Sequence, residues 1–179
     1  MAGHGAPHGT ENKGVALLIA VLALFLAIAE TGAKSAQTEA LNANIEAANL
    51  WSFFQARTIR QTTVRTAAEA AVLAPTEGTA AQVQRWRDTA ARWESEPETG
   101  EGRRELMSRA RAAEARRNLN MERYHMFEFA SASFQVGIVV ASASIITGVA
   151  LLMWAGLGLG GLGMALAGLG FFAPGLIHL

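Results

Sequence analysis

Hydrophobic and polar positions divide the chain into an apolar run near the start, a long polar stretch, and a second apolar run that reaches the end. The first run is GVALLIAVLALFLAIAE, Gly14 to Glu30. Its uncharged core, Val15 to Ala29, attains the length of a bilayer crossing by continuing to Ala33. From Phe129 to Ala173 the chain is apolar again, too long for one crossing and long enough for two. Length places the turn at Thr147-Gly148, because a break in the Gly cluster at 156–163 would leave too few residues before Pro174 for a second crossing. The predicted spans are therefore 14–33, 129–147 and 149–173, with a flexible segment 1–13 before them and a tail 174–179 after. Ala27-Ile28-Ala29 would also suit a signal-peptide cleavage site. Lys13 is a thin basic region for that role, however, and TGAKSAQTEA reads as a continuing helix, so a retained anchor is favoured.

The polar domain covers 34–128. From Lys34 to about Leu73 it reads as one helix, rich in Ala, Glu, Gln and Arg and without internal Gly or Pro. Leu41, Ile45 and Ala48 begin an apolar stripe that widens at Leu50, Trp51, Phe53 and Phe54 and resumes at Ile59. APTEGT, 74–79, is a loop, and Thr79 with Gln82 resembles a capping box opening a second helix. There Val83, Trp86, Ala90 and Trp93 form a seam with two large anchors. SEPETGEG, 95–102, reads as a flexible acidic linker. A last helix starts near Arg103 and runs through Tyr124 into the second span. The predicted fold is all-α: an integral membrane protein with three transmembrane helices and an antiparallel, coiled-coil-like helical stalk.

Small residues line each span: Ala16, Ala20, Ala23, Ala27 and Glu30 in the first, Ser133, Gly137, Ala141, Ser144 and Gly148 in the second, Gly156, Gly160, Gly163, Ala167 and Gly170 in the third. Within lipid, helices associate by close backbone approach, which such residues permit. Gly137, Ala141, Gly156, Gly160, Gly163 and Ala167 are the candidate packing positions. Every Lys, Arg, Asp and Glu lies at or before Glu128. Arg109, Arg111, Arg116, Arg117 and Arg123 precede the second span, whereas the turn and the tail carry no Lys or Arg. By the positive-inside rule the polar domain then faces the cytoplasm.

Charge and composition narrow the chemistry. A net charge of zero argues against a polyanion-binding domain, and no nucleic-acid motif is present. The chain has no Cys, which excludes disulfides, thiol nucleophiles and cysteine-ligated metals. Nothing resembles a nucleotide loop, a catalytic triad or a zinc-protease helix, so no enzyme, cofactor, metal or small-molecule substrate is expected. His4 and His8 lack the fixed geometry a metal needs. An ionisable group at a membrane helix is a functional candidate by default, which singles out Glu30, Lys34, Arg123, His125 and Glu128 at the predicted boundary. Arg57, Arg60 and Arg65 are candidate anionic-lipid contacts; a solvated face or ion pairs with the later Arg/Glu-rich helix is the blander alternative.

The segment TEALNANIEAANLWSFFQARTIRQTTVRTAAE, preceded by GVALLIAVLALFLAIAETGAKSAQ and followed later by YHMFEFASASFQVGIVVASASIITG and WAGLGLGGLG, resembles an uncharacterised bacterial membrane family, domain of unknown function 4337. Members often look basic at the turn between the last two spans, where this chain has Thr147-Gly148-Val149. The resemblance implies a bacterial inner-membrane protein and carries no mechanism. The expected function is a non-enzymatic scaffold or accessory subunit that self-associates or stabilises a larger membrane complex. Its rival is a channel or transport accessory in which Glu30, Glu128 and the hydroxyls of Ser131, Ser133, Ser142, Ser144 and Thr147 line a polar path.

The orientation is directly testable in this Cys-free chain. A cysteine introduced at position 100 should stay unmodified by an impermeant thiol reagent in intact cells and react once the membrane is opened. Modification in intact cells would reverse the assigned topology.

Overall fold

A single helix, α1 (His8–Leu73), carries the first apolar run and the start of the polar stretch without interruption. In a computed structural model, residues 8–176 are described, with side chains from Lys13 onward. His4 and the side chain of His8 lie outside the described residues, as does 177–179. The helix is already formed at His8, within the segment 1–13 expected to be flexible. α2 (Thr79–Glu94), α3 (Arg103–Thr147) and α4 (Ala150–Phe172) follow, then a 3-10 turn, Pro174–Leu176. The described residues are all-helical with no strand, and α1, α3 and α4 are each long and apolar enough to cross a membrane.

α3 ends at Thr147, where span length placed the turn. Gly148 adopts φ +67, a left-handed conformation that suits glycine, and its N–H closes on the Ser144 carbonyl at 2.9 Å. α2 opens differently from its expected capping box. Gly78, not a hydroxyl residue, is the N-cap at φ +82, and no side chain caps the helix. The Thr79 hydroxyl accepts from the Thr76 N–H at 2.7 Å instead, and so is turned away from the first-turn donors of α2.

The chain forms two compact units, one made of residues up to Ala40 and from Asn118 onward, the other of Leu41–Arg117. In the first, α3 and α4 meet through small residues. A Cβ added at Gly156 would stand 2.9 Å from the Gly137 carbonyl oxygen and 3.0 Å from the Ala141 Cβ, so the two backbones lie nearly in contact. Gly163 faces the ring of Phe134, which has no exposure, at 2.7 Å from such a Cβ. Ala167 is half-buried beside the cluster of Leu22, Ala29, Ala130 and Phe134.

The first span does not follow the expected stripe. Ala16, Ala20, Ala23, Ala27 and Glu30 are exposed, and α1 instead buries Val15, Leu22, Ala29 and Ala36, seven residues apart. The reason is complementarity of shape. Glycines on α3 and α4 leave a depression, and Leu22 fills it, reaching both Gly137 and Gly160. An alanine there would leave a cavity, with its lost contacts.

In the polar unit, α1 and α3 run antiparallel. Glu46 meets Arg116 at 2.8 Å, Trp51 Nε1 donates to Glu114 at 2.8 Å, and Arg103 Nε donates to the Thr58 hydroxyl at 3.0 Å. Ala47, Leu50, Leu106, Ala110 and Ala113 form the core beneath Trp51 and Phe54, which meet edge to face at 5.4 Å. The apolar stripe read from the sequence therefore divides: Leu50, Trp51 and Phe54 join the core, and its other aliphatics do not. Leu41 and Ile45 are each 58% exposed and Ile59 66%, while Ala40, Ala43 and Ala47 are buried. Short side chains on this side let α3 come close, so burial follows the alanines and not the larger aliphatics.

Gly163→Leu should destabilise the apolar unit by about 1–3 kcal/mol, the range for overpacking a filled core, because Phe134 has nowhere to move. Leu162, 51% exposed, should tolerate alanine with a much smaller change. Thermal unfolding of both variants in detergent separates them, and equal shifts would mean the glycine contact contributes nothing.

Candidate functional site

The charges expected at the membrane boundary gather on adjoining turns of α1 and α3. Glu30, Lys34 and Gln37 from α1 and Tyr124, Glu128 and Ser131 from α3 line a groove of about 340 Å³. Glu128 is the organised member. Its Oε1 accepts from the Tyr124 hydroxyl at 3.2 Å, and its Oε2 lies 3.7 Å from His125 Nδ1. The negative charge of Glu128, with that hydrogen bond, pushes the Tyr124 hydroxyl above its ordinary value of 10.0. Glu30 and Lys34 are exposed and form no ion pair among the described residues. Ser131 Oγ is buried in the groove without a hydrogen-bond partner. The groove thus brings Glu30, Lys34 and Glu128 together.

Arg123 lines a different and larger cleft, of about 640 Å³, with Glu39, Asn120 and Phe127. Sequence reading did not single out Glu39 or Asn120. Neither has an apolar or motif context, and only the fold sets them beside Arg123.

Of the second-span hydroxyls, Ser131 alone among the described residues lines the groove with Glu30 and Glu128, and the other four turn back to their own helix. Ser133, Ser142, Ser144 and Thr147 donate at 2.7–2.9 Å to the carbonyls of Phe129, Ile138, Ala141 and Ala143 on their own helix. Each is satisfied within a turn, as lipid surroundings require.

The three arginines of the polar unit part company. Arg60 and Arg65 are exposed, but Arg57 is buried and is no surface lipid contact. Its Nη2 lies 2.8 Å from Glu101 and 3.7 Å from Glu96, and its guanidinium sits over the rings of Phe53 and Trp93. The acidic segment 95–102 is therefore no free tether. A buried guanidinium requires compensation, and two of the segment's carboxylates supply it.

One turn along α1 stands Gln61, 2% exposed and fully engaged. Its Nε2 donates to the Ala90 carbonyl at 2.8 Å and to Glu94 at 3.0 Å, and its Oε1 accepts from Arg103 at 2.9 Å. Arg103 also bridges to Glu94 at 2.8 Å and lies over the Phe54 ring at 5.1 Å. This junction of α1, α2 and α3 was missed in the sequence. A polar residue recurring at core spacing, Gln61 seven after Phe54 and seven before Ala68, was the signal that could have found it.

Among known families, residues 11–173 match the model described as Domain of unknown function (DUF4337). No curated protein and no solved structure matches the chain.

The Gln61 hydrogen bond, reinforced by Arg103 and Arg104 against partial burial, holds the Glu94 carboxyl below its ordinary 4.5. A depressed value means the folded unit gains stability from this group above pH 4.5 and loses it as pH falls through the folded value. Urea unfolding should therefore shift to lower denaturant as pH drops below about 4.5. Tryptophan fluorescence reports it, since Trp51, Trp86 and Trp93 lie in this unit. Glu94→Gln should flatten the dependence; an unchanged slope would remove Glu94 from the linkage.

Proposed function

The chain belongs to the DUF4337 family, and we propose that it is a non-enzymatic, multi-pass membrane scaffold that self-associates or holds a larger complex together. On this reading it resides in a bacterial inner membrane, with its polar unit facing the cytoplasm as a coiled-coil-like stalk.

The observation that carries the reading is the outward side of α1 in the polar unit. Buried positions on α1 recur at alternating steps of four and three, Ala36, Ala40, Ala43, Ala47 and Leu50 among them. The positions pointing away from that seam would ordinarily be charged. Here Leu41, Ile45, Ala48, Ser52, Gln55, Ile59, Thr62 and Thr66 are exposed and none carries a charge. Glu39, Glu46, Arg60 and Arg65 lie to either side of this strip.

Two copies anchored in one bilayer with one topology can pair side by side only in the same direction, about an axis along the membrane normal. In such a pair each residue of α1 meets its own counterpart. A charge there would face its like; an uncharged strip with three large aliphatics would not. Confinement to the bilayer raises the effective concentration, so a strip of modest area suffices. The exposed Ala16, Ala20, Ala23 and Ala27 offer the first span a close-approach surface of the same kind. A channel reading is less well supported, because Ser133, Ser142, Ser144 and Thr147 already bond to their own backbone, which leaves Ser131 as the second-span hydroxyl beside Glu30 and Glu128.

Ile45→Cys should form a disulfide-linked dimer in native membranes under mild oxidation, whereas a cysteine at Glu46, off the strip, should not. Ile45→Glu should lower the native mass of the full-length protein in detergent by dissociating copies. A chain that is monomeric and without partners as wild type would defeat the scaffold reading.

A further inference from the structure

We propose that the cleft between Arg123 and Glu39 holds one phospholipid with an amine-bearing, zwitterionic headgroup, its phosphate on Arg123 and its ammonium on Glu39. The site shares only Ala27 with the self-association surface and stands whether or not copies associate.

Its walls change character along their length. Ala27, Ile28, Phe127 and Phe171 line one end, and Ser35, Glu39, Asn120 and Arg123 the other. From Ala27 to Glu39 the helix rises about 18 Å. That distance spans the passage from upper acyl chain to headgroup, given an interfacial layer of about 5–8 Å per leaflet outside the hydrocarbon. Glu39 lies six residues beyond the predicted end of the first span at Ala33, and Arg123 six before the predicted start of the second at Phe129. Both charges therefore sit at the same depth.

The floor is built, not incidental. Phe127 is 3% exposed, and its ring rests on two glycines: a Cβ at Gly32 would stand 3.0 Å from it and one at Gly170 3.4 Å. Phe171 meets the same ring edge-on at 4.8 Å. Because glycines permit this seating, the ring lies low and the cleft stays open above it.

The charges identify the occupant. Among the described residues the Arg123 Nε is buried without a hydrogen-bond partner, and its Nη1 donates to Asn120 Oδ1 at a long 3.5 Å. A guanidinium is a planar set of donors suited to phosphate. Glu39 lines the same cleft and forms no ion pair among the described residues, with Arg123 or any other. Opposite charges that share a cleft without pairing suit a ligand carrying both signs. A purely anionic headgroup would satisfy Arg123 and meet Glu39 as a like charge. Free phosphate would leave the apolar end unused.

The test uses the full-length protein in mild detergent, offered phosphatidylethanolamine, phosphatidylglycerol or inorganic phosphate, with bound lipid read by native mass spectrometry. Wild type should retain one phosphatidylethanolamine in preference to phosphatidylglycerol. Arg123→Gln should weaken that retention by roughly tenfold, the equivalent of one charge-assisted contact. Glu39→Gln should keep binding and lose the preference. Ile28→Trp, at a position 44% exposed on the apolar wall, should block the cleft without touching either charge, and so covers the case in which Arg123→Gln fails to fold. Equal retention of the two lipids by wild type would overturn the charge assignment. Displacement of lipid by inorganic phosphate would make this a soluble-anion site, and undiminished binding in both Arg123→Gln and Ile28→Trp would place the lipid elsewhere.

Discussion

Everything in this protein is hung on the buried side of α1. One unbroken helix runs from His8 to Leu73, and from Val15 onward its buried residues keep a seven-residue spacing through Leu22, Ala29, Ala36, Ala43, Leu50 and Arg57. A helix of 3.6 residues per turn drifts only slightly against such a repeat, so the buried positions stay close to one side of α1. The repeat continues although its surroundings change from apolar to polar, and the two units satisfy it by different physics.

In the apolar unit, burial against lipid offers little, and contact must come from close approach. Gly137, Gly156, Gly160 and Gly163 provide that, and one large side chain, Leu22, enters the depression they leave. In the polar unit the same spacing brings alanines against α3, then an arginine and a glutamine. Two polar groups at core positions would be costly if left alone. Glu96 and Glu101 compensate Arg57, and Ala90, Glu94 and Arg103 satisfy Gln61. The acidic turn and the start of α3 thereby become parts of the core.

Both proposals arise from what this arrangement leaves unpaired. The heptad seam consumes the alanines and turns Leu41, Ile45 and Ile59 outward, where nothing among the described residues covers them. The seating of Phe127 on two glycines leaves a cleft with two unmatched charges at its rim. An exposed aliphatic strip without charge and an unpartnered buried guanidinium nitrogen are both departures from what a self-sufficient helical protein would carry.

Much of the fold was legible in the sequence by itself. The three apolar segments follow from length against bilayer thickness, and the helix ends at Leu73, Glu94 and Thr147 follow from where Gly, Pro and polar turns interrupt regular patterning. These are local properties, set by neighbours along the chain. The sides of the helices were a different matter. Along α1 both the alanines and the larger aliphatics recur at helical spacing, so periodicity alone admitted two packing faces. It pointed to the wrong one in the span, and beyond it to a stripe of which Leu50, Trp51 and Phe54 pack and Leu41, Ile45 and Ile59 do not. The choice rests with the partner helix: α3 and α4 present glycines that accept Leu22 and not Ala23, and α3 approaches closely enough to prefer Ala43 and Ala47 to Ile45. Arg57 is likewise joined to Glu101 and Gln61 to Ala90, and Arg123 set in one cleft with Glu39, over long stretches of chain. Only the tertiary structure decides such pairs, because shape and charge complementarity belong to two surfaces, and a sequence displays one at a time.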